Sequence, residues 1–159
     1  MPLEYNVLSL EEAQQLVNVA LDYVRKNNLP PAAVVVCDKF GEVLAGARMD
    51  GVSPLYWKSA HRKAYTSAIF ERDTPGLIDF WAGQERNGHK GPMDWNDTML
   101  TTLPGGFAVC NGPGDGPYGG MAVVGGIGVS TEEPADEEAV AEAAIQSLGG
   151  AFRHRRDWS

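Results

Sequence analysis

The sequence predicts an α+β domain: a mainly antiparallel five-stranded sheet with helices packed on it. Three observations lead there. A capped amphipathic run of helical period opens the chain. Short β-branched runs joined by tight turns follow it as hairpins, not as alternating strand–helix units. An acidic-start helix with a glycine stop lies near the end. The resulting order is α-β-β-α, an irregular insert, then β-β-β-α.

Residues 9–28 are the clearest element. Ser9 and Glu12 form an S-x-x-E capping box. Apolar residues then recur at 10, 13, 16, 17, 20, 21 and 24, which is one helix face. Asn27-Asn28 and Pro30-Pro31 stop the helix. Residues 33–38 (AVVVCD) are almost wholly apolar and rich in valine, so they read as a buried strand. Asp38-Lys39-Phe40-Gly41 is a turn, and 42–49 (EVLAGARM) is the hairpin partner.

Ser53-Pro54 opens a second helix running to about Phe70, with Ser53 as its cap and Pro54 in its first turn. Ala60, Ala64 and Ala68 form a stripe of small residues that lets this helix lie close to a sheet. Residues 71–101 form an enlarged insert with frequent turn residues, two tryptophans and one short helix expected near 76–83. Strands are expected at 98–103, 107–111 and 121–130, with the glycine-rich stretch GPGDGPYGG (112–120) as a wide turn. The glycines of MAVVGGIGVS mark close backbone approach. The last helix spans 134–148; its acidic first turn suits the helix dipole, and Gly149-Gly150 ends it.

The 159 residues suit one domain spanning 1–159. A hydrophobic fraction of 43% and a charged fraction of 21% are those of an ordinary globular chain. The net charge of -8 supplies no basic field, so no nucleic-acid partner is expected. Arg153-His154-Arg155-Arg156 is expected to be a solvated terminus. No apolar run is long enough to span a membrane, and MPLEYNVLSLEEA lacks the pattern of a signal peptide, so no membrane partner and a cytoplasmic location are expected. Cys37 and Cys110 form no CxxC and read as buried free thiols.

Four stretches together resemble a known family: SLEEAQQLVNVALDYVRKNNLPPAAVVVCDKFGEVLAGARMDG, SAHRKAYTSAIF, LPGG, and GGIGVST before an acidic helix start. They are similar to the GlcG/HbpS-like family, described as haem-binding or haem-degrading and related to the C-terminal domain of PduO-type cobalamin adenosyltransferases. The similarity covers roughly 1–76 and 103–149. It implies a profilin-like α-β-α sandwich, self-association into a homo-oligomer, and haem as the leading ligand. The chain departs from the pattern in the enlarged 71–101 insert and in the long turn after residue 111.

The candidate site residues gather at the strand-to-helix junction RMDGVSPLYWKSAHRKAY (48–65) and in the insert. For a small anionic ligand, Arg48 can hold a carboxylate bidentately. Asp50 belongs to the same turn and also reads as a helix cap. His61 lies between Trp57 and Tyr65, one turn away on either side. Its imidazole suits haem iron or general-base work, and equally a packed helix–sheet or subunit contact. Lys63, on another helix face, can attract a propionate or stay solvated.

The insert carries Trp81, His89, Asp94 and Trp95, an aromatic and acid–base set on a loop. Two readings of it stand: a catalytic lid in which His61, His89 or Asp94 exchange protons, or an oligomer contact. The first would make the chain an isomerase, lyase or hydrolase acting on a small carboxylated or cyclic metabolite. GPGDGPYGG lacks the Gly-Lys-Ser/Thr ending of a phosphate loop. The histidines and cysteines have no zinc-ligand spacing, so no metal is expected beyond haem iron at His61.

Overall fold

Helix α1 (Leu10–Lys26) begins as its capping box dictates. The Glu12 N–H donates to Ser9 Oγ at 3.1 Å, and the Ser9 N–H donates to Glu12 Oε1 at 2.9 Å. Its buried stripe is Ala13, Leu16, Val17, Ala20 and Val24. The computed structural model describes residues 5–112, 122–133, 136–150 and 152–154. Strands β1 (Ala33–Asp38) and β2 (Val43–Arg48) form the expected antiparallel hairpin. Next come α2 (Pro54–Ile69), α3 (Thr74–Arg86), a 3-10 helix (Gly91–Trp95), β3 (Gly106–Asn111), β4 (Ala122–Ser130), α4 (Glu137–Ser147) and the two-residue β5 (Arg153–His154).

The five strands form one antiparallel sheet in the order β2-β1-β4-β3-β5. Side-chain alternation divides its two faces. Val34, Val36, Ile127 and Val129 join α1 and α4 in the larger core. Ala33, Val35 and Cys37 face Ala60 and Ala64 of α2. Helices therefore cover both faces, which makes the α+β fold an α-β-α sandwich.

The contact of α2 with β4 depends on small residues from both elements. A Cβ on Gly128 would run into the Ala60 carbonyl, and one on Gly126 into the Ala64 carbonyl. Alanines on the helix and glycines on the strand thus let backbone lie on backbone, as the small-residue stripe predicted.

Three expectations change. Residues 98–103 are not a strand. Their amides turn to side chains instead: the Met99 N–H donates to Asp97 Oδ1 at 2.9 Å and the Thr101 N–H to Thr66 Oγ1 at 3.1 Å. The fifth strand is β5, where Val109 pairs with His154 and Cys110 with Arg153. The chain end is therefore not simply solvated at 153–154. It covers the open edge of β3, and His154 Nδ1 lies 2.8 Å from Asp73 Oδ2. Arg155, Arg156 and most of the glycine-rich turn fall outside the described residues.

The insert's helix is also longer than expected. Leu77 and Trp81, one turn apart and both buried, anchor all of α3 despite its internal Gly76 and Gly83. Cys37 and Cys110 are both buried, as expected.

Candidate functional site

The strand-to-helix junction does not bring its charged residues into one place. Gly51 takes a φ of +83°, and the Arg48 guanidinium donates to the Val52 carbonyl, closing the turn. Ser53 caps α2 by accepting the Leu55 N–H at 3.3 Å, while Asp50 is exposed and does not cap. Arg48 and Asp50 line a cleft of about 370 Å³ with Arg25, Leu21 and Met49, between α1 and β2. His61 and Lys63 do not line it.

His61 is half-buried on α2, and its ring makes no hydrogen bond with another described residue. Its neighbours one turn away hold the helix against the edge hairpin. Trp57 lies over Gly46, and Tyr65 lies over Gly41. The Tyr65 hydroxyl donates to Asp97 Oδ2 at 2.6 Å. That bond, then burial and the charges of Asp97 and Glu42, pushes the phenol up to about 12. Arg62 donates to the Thr98 carbonyl. The end of the insert is thus strapped along α2, next to His61.

The body of the insert packs on α2 and β3 and does not fold over the Arg48 turn. It unites four residues named from sequence. Trp81, His89, Asp94 and Trp95 line one cleft of about 290 Å³ together with Phe80 and Gln84. Phe70 meets both Trp81 and Trp95 edge-on at 5.2 Å. Asp94 Oδ2 accepts the Lys90 N–H at 3.1 Å. Trp81 is buried, and its Nε1 has no hydrogen-bond partner among the described residues.

Lys63 has a partner that sequence reasoning missed. Its Nζ donates to Glu137 Oε1 at 3.0 Å, to Glu137 Oε2 at 3.2 Å and to the Val129 carbonyl at 3.0 Å. Lys63 is 4% exposed and Glu137 2%. Burial draws the Lys63 ammonium below the usual lysine range and the Glu137 carboxyl above the usual carboxylate range. Each is pulled back by the other's charge, and the Thr131 N–H adds a 3.1 Å bond to Glu137 Oε1.

Gly105 closes over the pair with a φ of +110°. A Cβ there would collide with Glu137 Oε2 and come within 2.7 Å of the Val129 carbonyl and 2.8 Å of Lys63 Nζ. Above the pair lies a cleft of about 240 Å³ whose walls include Leu55, Tyr56, Leu103 and Pro104. The signal in the sequence was the LPGG loop together with the acidic start of the last helix. Read locally, Glu137 was only a dipole partner.

One further group among the described residues has metal-ligand geometry. Glu138, Glu142 and His154 offer ligand atoms that lie within 4.8 Å of one another. Their spacing in sequence gives no such pattern, because His154 arrives from the chain end.

The fold recurs in solved structures. HbpS of Streptomyces reticuli, solved as a double mutant, is 27% identical with a TM-score of 0.74, over 94% of this chain and 92% of that one. The PduOC–haem complex is 21% identical with a TM-score of 0.69, over 92% and 99%. Klebsiella pneumoniae ORFY is 17% identical with a TM-score of 0.74, over 94% and 95%, and the latter two likenesses speak for the fold alone. No curated protein matches significantly in sequence. The match to the HbpS-like haem-degrading proteins runs from residue 8 to residue 146, from the start of α1 through nearly all of α4 and across every element that builds the three clefts. The chain therefore belongs to the HbpS-like haem-degrading protein family.

Proposed function

We propose that this protein binds a small anionic ligand, with haem the leading candidate and His61 its axial ligand. The observation that carries this reading is the family match, which includes the helix bearing His61. A similar solved structure is a PduOC–haem complex. The local chemistry fits. His61 is half-buried beside two aromatic residues, its ring is not engaged by another described residue, and Lys58 and Arg62 flank it. A planar dianion wants such a combination of apolar wall and basic rim. When bound, haem supplies an iron centre that takes an imidazole. This chain's part is to present that imidazole and to offset carboxylate charge.

Arg48, on the α1 side of β2, serves a separate anion contact in this reading. Lys63 is already neutralised by Glu137 and is not a propionate partner. Self-association is part of the proposal, with the exposed Met93 and Trp95 as contact residues, and so is a cytoplasmic location. No described helix is long and apolar enough to cross a membrane. Haemin titration followed by visible absorbance, beside His61→Ala, tests the assignment. A saturable Soret shift lost in the variant supports it. A shift indifferent to the substitution removes His61 as the axial ligand.

A second reading is favoured by the insert cleft. The gathering of His89, Asp94, Trp81 and Trp95 suits acid–base chemistry on a small cyclic metabolite stacked between aromatic rings. Arg48 and His61 do not line that cleft. Saturable quenching of tryptophan fluorescence by such a metabolite, abolished in Asp94→Asn, would support this second site. Quenching unchanged in Asp94→Asn would remove Asp94 from it.

A further inference from the structure

We propose that the cleft over the Lys63–Glu137 pair binds a small neutral carbonyl compound with an apolar body, and that Lys63 condenses with it reversibly. This goes beyond the haem reading. Lys63 lies two residues from His61 on α2 and so points to another face, and the cleft does not include the imidazole.

Size and walls define the body of the ligand. At about 240 Å³ the cleft is smaller than the roughly 300–1,000 Å³ of drug-sized pockets, so it takes a single ring or a short branched chain. Leu55 and Leu103 form an apolar rim, 67% and 53% exposed. Charge defines the head. Lys63 and Glu137 neutralise each other, so a second buried anion would find no free countercharge. A neutral carbonyl oxygen requires none. It needs one donor, and Lys63 and Ser59, both with donor groups, line the cleft.

The pair also has the parts of a condensation. A buried amine with a lowered proton affinity is a nucleophile, and here its proton acceptor lies 3.0 Å away. Glu137 takes a proton from the ammonium, and the freed lone pair bonds to the carbonyl carbon. The carbonyl oxygen collects protons through Glu137 and leaves as water. The product is an imine of Lys63, and water reverses the step. No oxidant or other co-reactant is required. Gly105 packs its backbone against the far side of the pair, where any side chain would collide with the Glu137 carboxylate, so the pair is approached from the cleft side.

Reductive trapping tests this. The full-length chain is incubated with benzaldehyde and sodium cyanoborohydride at neutral pH and then mapped by peptide mass spectrometry. The expected result is a mass gain of one benzyl group per chain, on Lys63, lost in a Ser59→Trp variant that fills the cleft. Label confined to the exposed Lys58, Lys90 and other surface amines, with Lys63 unmodified, would overturn it. Labelling of Lys63 that is unchanged in a folded Ser59→Trp would overturn the binding cleft. If Ser59→Trp does not fold, the wild-type map alone decides. Glyoxylate in place of benzaldehyde checks the charge argument, and preferential capture of that anion at Lys63 would overturn the neutral-ligand assignment.

Discussion

Lys63 and Glu137, 74 positions apart in sequence, meet at 3.0 Å with almost no exposure to solvent. The contact joins the middle of α2 to the start of α4 through the end of β4. Two buried charges so placed are costly singly and tolerable together. Lys63→Met or Glu137→Met alone leaves one charge uncompensated and should lose about 3–5 kcal/mol. Lys63→Met with Glu137→Met should lose much less than the sum of the two single methionine variants. Urea denaturation of wild type, both singles and the double gives the coupling directly. Additive losses would mean that the pair contributes no mutual stabilisation.

The approach of α2 to the sheet makes a second prediction. Gly128→Ala places a methyl group against the Ala60 carbonyl, where backbone rather than a flexible side chain must yield. A loss of about 1–3 kcal/mol or more is expected. Gly149→Ala is a useful contrast. It meets nothing within 4 Å, and its φ of +72° alone determines its cost. Chemical denaturation of the two variants separates crowding from backbone strain.

The Tyr65–Asp97 bond fixes a pH dependence. The folded-state phenol is raised from 10.0 to about 12, so the folded protein holds this proton where the unfolded chain has released it. The stability it contributes is therefore fully present below pH 10.0 and is lost as pH rises towards about 12. Tyr65→Phe should remove that alkaline component from a plot of stability against pH. An unchanged profile would show that the insert is not held to α2 through this bond.

Cys37 should be chemically silent. Burial first, then Asp38 and Glu42, pushes its thiol up to about 12, so almost no thiolate exists at neutral pH. Iodoacetamide should leave Cys37 unmodified in the native protein and label it after denaturation. Fast native labelling would require the β1 region to open locally.

Local features were legible in the sequence. The capping box and apolar period of α1, the β1–β2 hairpin and the Ser53-Pro54 start of α2 depend on neighbours a few residues away, and the structure has each of them. The sequence also carried the family motifs, and it named Trp81, His89, Asp94 and Trp95 before they were known to share a cleft. The remaining features follow from long-range packing. Residues 98–103 look like a strand, yet β3 takes its second partner from the chain end, because an open edge accepts whichever segment the fold brings to it. Lys63 looks like a surface cation, yet Glu137 arrives from another layer to neutralise it. Arg48 and His61 are thirteen positions apart in the sequence and look like one anion site, yet the cleft that Arg48 lines does not include His61. Short-range patterns fix elements through backbone geometry. Charge pairing, edge pairing and cleft membership depend on which distant residues arrive, and that is set by how the layers pack.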